Sequence, residues 1–162
     1  MIPSGPGREE EGIMQDTNPD AADGGLDSES DGVPGYFWAV AVVGFLWNCI
    51  GVYFYVMAKI EPQAMMAGMP SAMQDYVLTM PLWAHVGWSL GIWGSFIGSV
   101  LMLLRRHLAI PAFLVSLLGA IASYSAQGLA GVLTPAEPIL ILTVIAFLLW
   151  FCRRAHAKGQ LR

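Results

Sequence analysis

With 162 residues, 56% hydrophobic and only 12% charged, the chain lies far below the roughly 25% charged content of soluble domains. Its net charge of −4 divides unevenly: residues 1–33 carry nine acids against Arg8, for −8, and the rest carry seven basic residues against Glu61, Asp75 and Glu137, for +4. No basic cluster exceeds a pair, which argues against a nucleic-acid surface, and a mean hydropathy of +0.56 points to lipid as the solvent.

Residues 1–33 are rich in Gly, Pro, Asp, Glu and Ser. Such a segment buries too little apolar surface to offset its ordering entropy, so a disordered acidic tail is expected, either simply solvated or used for interaction. Its negative charge and the length of the apolar run that follows speak against a signal peptide. Residues 34–162 are expected to form one transmembrane domain.

The first predicted span covers about residues 36–58, with Tyr36, Phe37 and Trp38 at headgroup level on one end and Tyr53 and Tyr55 on the other. Gly44, Asn48, Gly51 and Tyr55 share one helical face at i, i+4, i+7 and i+11. An amide at mid-membrane should face protein, either in an interhelical hydrogen bond or in a ligand site that Trp47 would share.

Residues 59–80 form the longest loop between apolar segments. Pro62 and Pro70 can each open a short helix, Gly68 can end the first, and the methionines give an apolar side suited to the membrane surface. No metal site is expected. The weaker alternative is a Cu(I) site on the thioethers of Met65, Met69 and Met73, with His85 nearby.

The second span, about 82–104, contains no acid, lysine or arginine and closes on Arg105 and Arg106. At about 1.5 Å per residue it crosses a hydrocarbon core of about 30 Å. Its small residues recur at i, i+4: Gly87, Gly91, Ser95 and Ser99 in one series, Gly94 and Gly98 in another. They predict close helix packing, against the Gly44/Asn48/Gly51 face or against the third span. Trp88 and Trp93 are candidate ligand contacts.

Only Arg105, Arg106, His107 and a residue or two separate the second span from the third, about 109–130, so the two are antiparallel neighbours. In the third, Ser116, Gly119, Ser123 and Gln127 make a small, mildly polar stripe; Gln127 lies close enough to the end to reach headgroups or a ligand. The apolar run 139–152 is too short to span. Thr134, Pro135 and Glu137, however, resemble a capping box that starts the fourth helix at 135 and carries it to 154. Pro138 then removes one early hydrogen bond or restarts the helix. Cys49 lies near mid-depth and Cys152 at a span end, a difference greater than the roughly 7 Å that a disulfide tolerates, so both are read as packing residues.

The basic residues after the second and fourth spans share one side, and Lys59 stands alone on the other. The positive-inside rule therefore puts both ends of the unit in the cytoplasm.

Leu46-Trp47-Asn48-Cys49-Ile50-Gly51, Pro81-Leu82-Trp83, Gly91-Ile92-Trp93-Gly94-Ser95-Phe96-Ile97-Gly98, Leu103-Leu104-Arg105-Arg106 and Ala109-Ile110-Pro111-Ala112-Phe113-Leu114-Val115-Ser116-Leu117 together resemble a family of small four-helix bacterial inner-membrane proteins without an established activity. Some members carry a sugar-transporter label. The resemblance covers about residues 36–162 and implies an all-α integral membrane four-helix bundle in the bacterial inner membrane.

For function, the sequence favours a structural or accessory membrane protein working through helix packing. The alternative is a small-solute, sugar-type transporter working as a homo-oligomer, with aromatic faces for stacking. No membrane-depth acid or base supplies ion coupling. Paired carboxylates, a Ser/His/Asp set, paired histidine ligands and a phosphate-binding glycine loop are missing from the sequence, so no enzyme activity and no cofactor are expected. The expected partners are the lipid bilayer and further copies of the chain.

Overall fold

Four long apolar runs bounded by proline, glycine and arginine leave the backbone one economical solution, the helix, which satisfies its own N–H and C=O groups. The computed structural model describes residues 33–162, and the acidic tail expected over 1–33 lies almost wholly outside them. Among the described residues the chain is all-helical: α1 (Gly35–Ile60), α2 (Pro62–Met66), α3 (Ser71–Thr79), α4 (Leu82–Leu103), α5 (Ala109–Leu129) and α6 (Ala136–Ala157). Helices α1, α4, α5 and α6 are long and apolar enough to cross a membrane. They expose large apolar side chains along their lengths, among them Val43, Leu46, Leu118 and Trp150, as suits a multi-pass membrane protein.

α4 is the hub. It packs antiparallel to α5 and also against α1, while α5 packs against α6. A step of four residues advances about 40° around a 3.6-residue helix, so an i, i+4 series winds around the axis. The predicted stripe therefore divides. Gly87 and Gly91, joined by Gly94 and Gly98 at i+7 and i+11, meet α5, whereas Ser95 and Ser99 have turned to Asn48 of α1. The approach to α5 is close: a Cβ on Gly87 would sit 2.9 Å from the Gly119 carbonyl oxygen, and one on Gly119 would sit 2.7 Å from the Gly87 oxygen. Gly94 lies against Ser116, Gly98 against the Phe113 ring and Gly87 beside the Ser123 backbone nitrogen. The Ser116 hydroxyl donates across the seam to the Gly91 carbonyl at 2.6 Å.

Gly44 departs from the expected pairing. A Cβ there would meet Leu148 of α6, while Gly51 has Ile92 of α4 as its neighbour. Near its start, α1 also reaches α6 through Phe37, stacked on Phe151 with ring centroids 5.9 Å apart. Phe37, Met102, Phe113, Leu148 and Cys152 form the main core at this end. A smaller cluster at the opposite end joins Tyr76 of α3 to Ala84 and Ala126, with Met73 and Met80 against it.

The predicted capping box does not form. Pro135 is the N-cap of α6 and no side chain caps it. Glu137 Oε1 instead accepts a long hydrogen bond from Tyr124, at 3.4 Å. Pro138 sits in the first turn, where an N–H would have no intrahelical partner, so the helix runs on without a restart. At its far end α6 continues a turn beyond the expected stop, with Arg154 and His156 complementing the negative end of the helix dipole. Gly159, at φ +71°, then reverses the chain.

That reversal brings residues 160–162 under the bundle. Leu161 is buried in the main core. The Arg162 N–H donates to the Arg105 carbonyl at 2.7 Å, and the His107 N–H donates to the Arg162 carbonyl at 2.8 Å. Arg105 adopts φ +57°, a left-handed conformation costing a side-chain-bearing residue about 1–2 kcal/mol. Its Nε donates to the Gln160 carbonyl at 3.0 Å, which helps to hold the turn.

Candidate functional site

Two clusters gather polar side chains of α1 and α4. The first is a closed cluster between α1 and α4. Asn48 Nδ2 donates to the Gly44 carbonyl of its own helix at 2.8 Å and to Ser99 Oγ at 2.6 Å. Its Oδ1 accepts from Ser95 Oγ at 2.5 Å, and Ser99 Oγ donates onward to the Ser95 carbonyl at 2.9 Å. Both amide protons and the amide oxygen are thus engaged within the protein, and all three side chains are buried. An amide so satisfied gains nothing from turning to a solute, because an incoming hydroxyl would have to displace a hydrogen bond of equal quality.

The second cluster lies at the end of the spans that carries Lys59. Lys59 Nζ lies 2.7 Å from His85 Nε2. An ammonium has only protons to offer, so this contact requires Nε2 to accept and places the imidazole proton on Nδ1. The same ammonium stands 5.4 Å from the centre of the Tyr55 ring and 5.1 Å from that of Trp88, within cation–π range. Tyr55 and Ser89 share a hydrogen bond of 2.7 Å. Trp93 meets the Tyr55 ring edge-on at 6.2 Å and remains 39% exposed. The cluster offers a solute an ammonium with unspent protons and the outer side of Trp93. It also binds the end of α1 to the start of α4.

The candidate ligand contacts are therefore only partly assembled. Trp88 and Trp93 meet around Tyr55, whereas Asn48 belongs to the buried cluster. Trp47 is 41% exposed on α1, and Gln127 is half-buried near the end of α5, its carbonyl accepting from the Val132 N–H. Of the methionines, Met73 packs on the Tyr76 cluster, while Met65 belongs to α2 and Met69 to the turn after it. Among the described residues, no group of three or more His, Cys, Asp or Glu side chains is placed to hold a metal ion. Cys49 and Cys152 are free thiols.

Ser89 was not among the predicted site residues. Its signal was present in the sequence: Tyr55 and Lys59 are four residues apart, as are His85 and Ser89, so two helices packed at that level bring four polar groups together. Compared with protein-family models, with curated proteins and with solved structures, this chain matches none.

Proposed function

We propose that this protein is a structural or accessory component of a bacterial inner membrane, working through helix contacts, without enzymatic activity and without a cofactor. The observation carrying this reading is the closed Asn48–Ser95–Ser99 cluster, in which the mid-span polar groups are consumed in joining α1 to α4. The seam of Gly87, Gly91, Gly94 and Gly119 supports it, since these small residues serve packing inside the unit. The exposed side of α1, with Val43, Leu46, Trp47 and Ile50, is then available to lipid or to another copy of the chain.

The distribution of arginines supports an orientation with both ends of the four-span unit in the cytoplasm and α2 and α3 outside. One observation favours a second reading, a transporter-like homo-oligomer. The meeting of Tyr55, Trp88 and Trp93 gives an aromatic surface of the kind that stacks on a sugar ring. Uptake of labelled sugars into vesicles holding the purified protein separates the two. The structural reading predicts uptake equal to that of empty vesicles. Uptake above that level that falls in Trp93→Ala would establish the transporter instead.

A further inference from the structure

The end of the unit opposite Lys59 carries a feature that helix packing does not use. Phe147, Trp150 and Arg154 of α6 and Lys158 at its C-cap follow one another at i, i+3, i+7 and i+11, and so form one continuous stripe. Together with Tyr36 of α1 and Gln160, they line a groove of about 360 Å³. Over the roughly 16 Å from Phe147 to Lys158 the stripe changes from apolar to cationic, as suits a path out of the hydrocarbon core into the headgroup region. Phe147 is 48% and Trp150 55% exposed.

The polar end of the groove is held in place but chemically unspent. The Arg154 guanidinium lies 5.8 Å from the centre of the Trp150 ring, and among the described residues its N–H groups form no side-chain hydrogen bond or ion pair. Lys158 Nζ lies 5.9 Å from the centre of the Tyr36 ring and donates to Tyr36 Oη at 3.5 Å, leaving ammonium protons to spare. Gln160 Nε2 also donates to that hydroxyl, at 3.3 Å, which leaves the Tyr36 proton directed elsewhere. The acids of residues 33–162 are Glu61, Asp75 and Glu137, and Glu137 stands at the other end of α6, about 25 Å away by helix rise. Two cations, a hydroxyl and an amide thus converge above exposed aromatic rings, and among the described residues no Asp or Glu side chain pairs with them.

We propose that this groove binds the headgroup of an anionic phospholipid, with the phosphodiester between Arg154 and Lys158 and an acyl chain along Trp150 and Phe147. The assignment rests on the membrane placement argued above. It commits to a lipid over free phosphate because the aromatic half of the stripe would have no role for a small ion. Guanidinium and ammonium groups are the usual partners of a phosphate oxygen, and basic pockets beside membrane helices suit anionic headgroups.

The test reconstitutes the full chain into vesicles of phosphatidylcholine and phosphatidylglycerol in equal amounts. The protein is then extracted in mild neutral detergent, and the lipids that remain bound are counted by native mass spectrometry. Phosphatidylglycerol should be retained over phosphatidylcholine. Each cation contributes about five-fold to association with an anionic surface, so Arg154→Gln with Lys158→Gln should reduce that preference roughly 25-fold. The exchanged pair Arg154→Lys with Lys158→Arg should restore it, and Arg106→Gln, away from the groove, should leave it unchanged. Helical circular dichroism of each variant confirms that the bundle is intact.

Equal retention of the two lipids, or a preference that survives the double glutamine variant, overturns the site. Inorganic phosphate that displaces the bound lipid at equal concentration reassigns the groove to the free ion and overturns the lipid. A preference that emerges only after removal of residues 1–32 makes the acidic segment the occupant, again overturning it. Failure of the chain to enter vesicles at all refutes the membrane placement itself, a result distinct from entry without lipid preference.

Discussion

The Ser95 hydroxyl lies 2.5 Å from Asn48 Oδ1, and this contact joins α1 to α4 at the middle of both helices. It is one side of a closed circuit, since the Asn48 amide nitrogen returns to Ser99 at 2.6 Å and Ser99 to the Ser95 carbonyl. Replacing Asn48 with leucine removes both bonds to α4, while Ser99 keeps its intrahelical acceptor. Interhelical hydrogen bonds in membranes are worth about 0.6–2 kcal/mol, so Asn48→Leu should destabilise the bundle by about 1–2 kcal/mol. A denaturing-detergent titration followed by circular dichroism measures it. Ser95→Ala combined with Asn48→Leu should cost less than the two changes summed.

The α4–α5 seam tolerates no additional carbon at Gly119. A Cβ there would fall 2.7 Å from the Gly87 oxygen and 2.8 Å from the Gly91 nitrogen, both backbone atoms that cannot swing aside. Gly119→Ala should cost about 1–3 kcal/mol in the same titration, in the range of overpacked cores. Gly128, on the same helix, has only the tip of Leu133 nearby, at 3.8 Å. There the helix preference of alanine should prevail, and Gly128→Ala should be neutral or stabilising by up to about 1 kcal/mol.

Leu161 is only 3% exposed, although it lies beyond the last helix. Leu161→Ala should destabilise the bundle by about 2 kcal/mol, at the low end for buried leucines because the tail can partly collapse. The specific sign would be faster hydrogen exchange at the His107 amide, which donates to the Arg162 carbonyl.

The Tyr76 hydroxyl is buried and, among the described residues, has no hydrogen-bond partner. Burial pushes its pKa above the usual value of 10.0. The unfolded chain therefore releases the phenol proton more readily than the folded one. The contribution from this group is fully present below pH 10 and is lost as pH rises through the folded value. Tyr76→Phe should stabilise the α3 docking by about 1 kcal/mol at neutral pH and abolish that alkaline loss. Thermal melts at neutral and alkaline pH check both statements.

The four long apolar helices and the antiparallel α4–α5 pair are legible because charge-free length and a turn of a few residues leave few arrangements open. The division of the α4 stripe was legible only in part: the i, i+4 series drifts about 40° per step, so Ser95 and Ser99 serve a different neighbour from Gly87 and Gly91. Gly44 could not be assigned to α6 from α1 alone, because periodicity identifies a small face without identifying its partner. The capping box failed because Pro135 took the N-cap position and Glu137 faced Tyr124. The burial of Leu161 is not legible in the sequence, because a lone apolar residue after a basic turn has no periodicity. Of the candidate ligand contacts, Trp88 and Trp93 come together, whereas Asn48 takes the other role open to a mid-span amide, an interhelical hydrogen bond, with Ser95 and Ser99.

The placement of the four helices across a bilayer is the claim on which the account rests. In a chain carrying Cys49→Ser and Cys152→Ser, single cysteines introduced as Gln74→Cys in α3 and Lys158→Cys after α6 report on opposite ends of the spans. A membrane-impermeant thiol reagent applied to intact cells should label Gln74→Cys and should reach Lys158→Cys only after permeabilisation. Labelling of both positions in intact cells, protection of both, or release of the protein from membranes by alkaline carbonate would contradict the account.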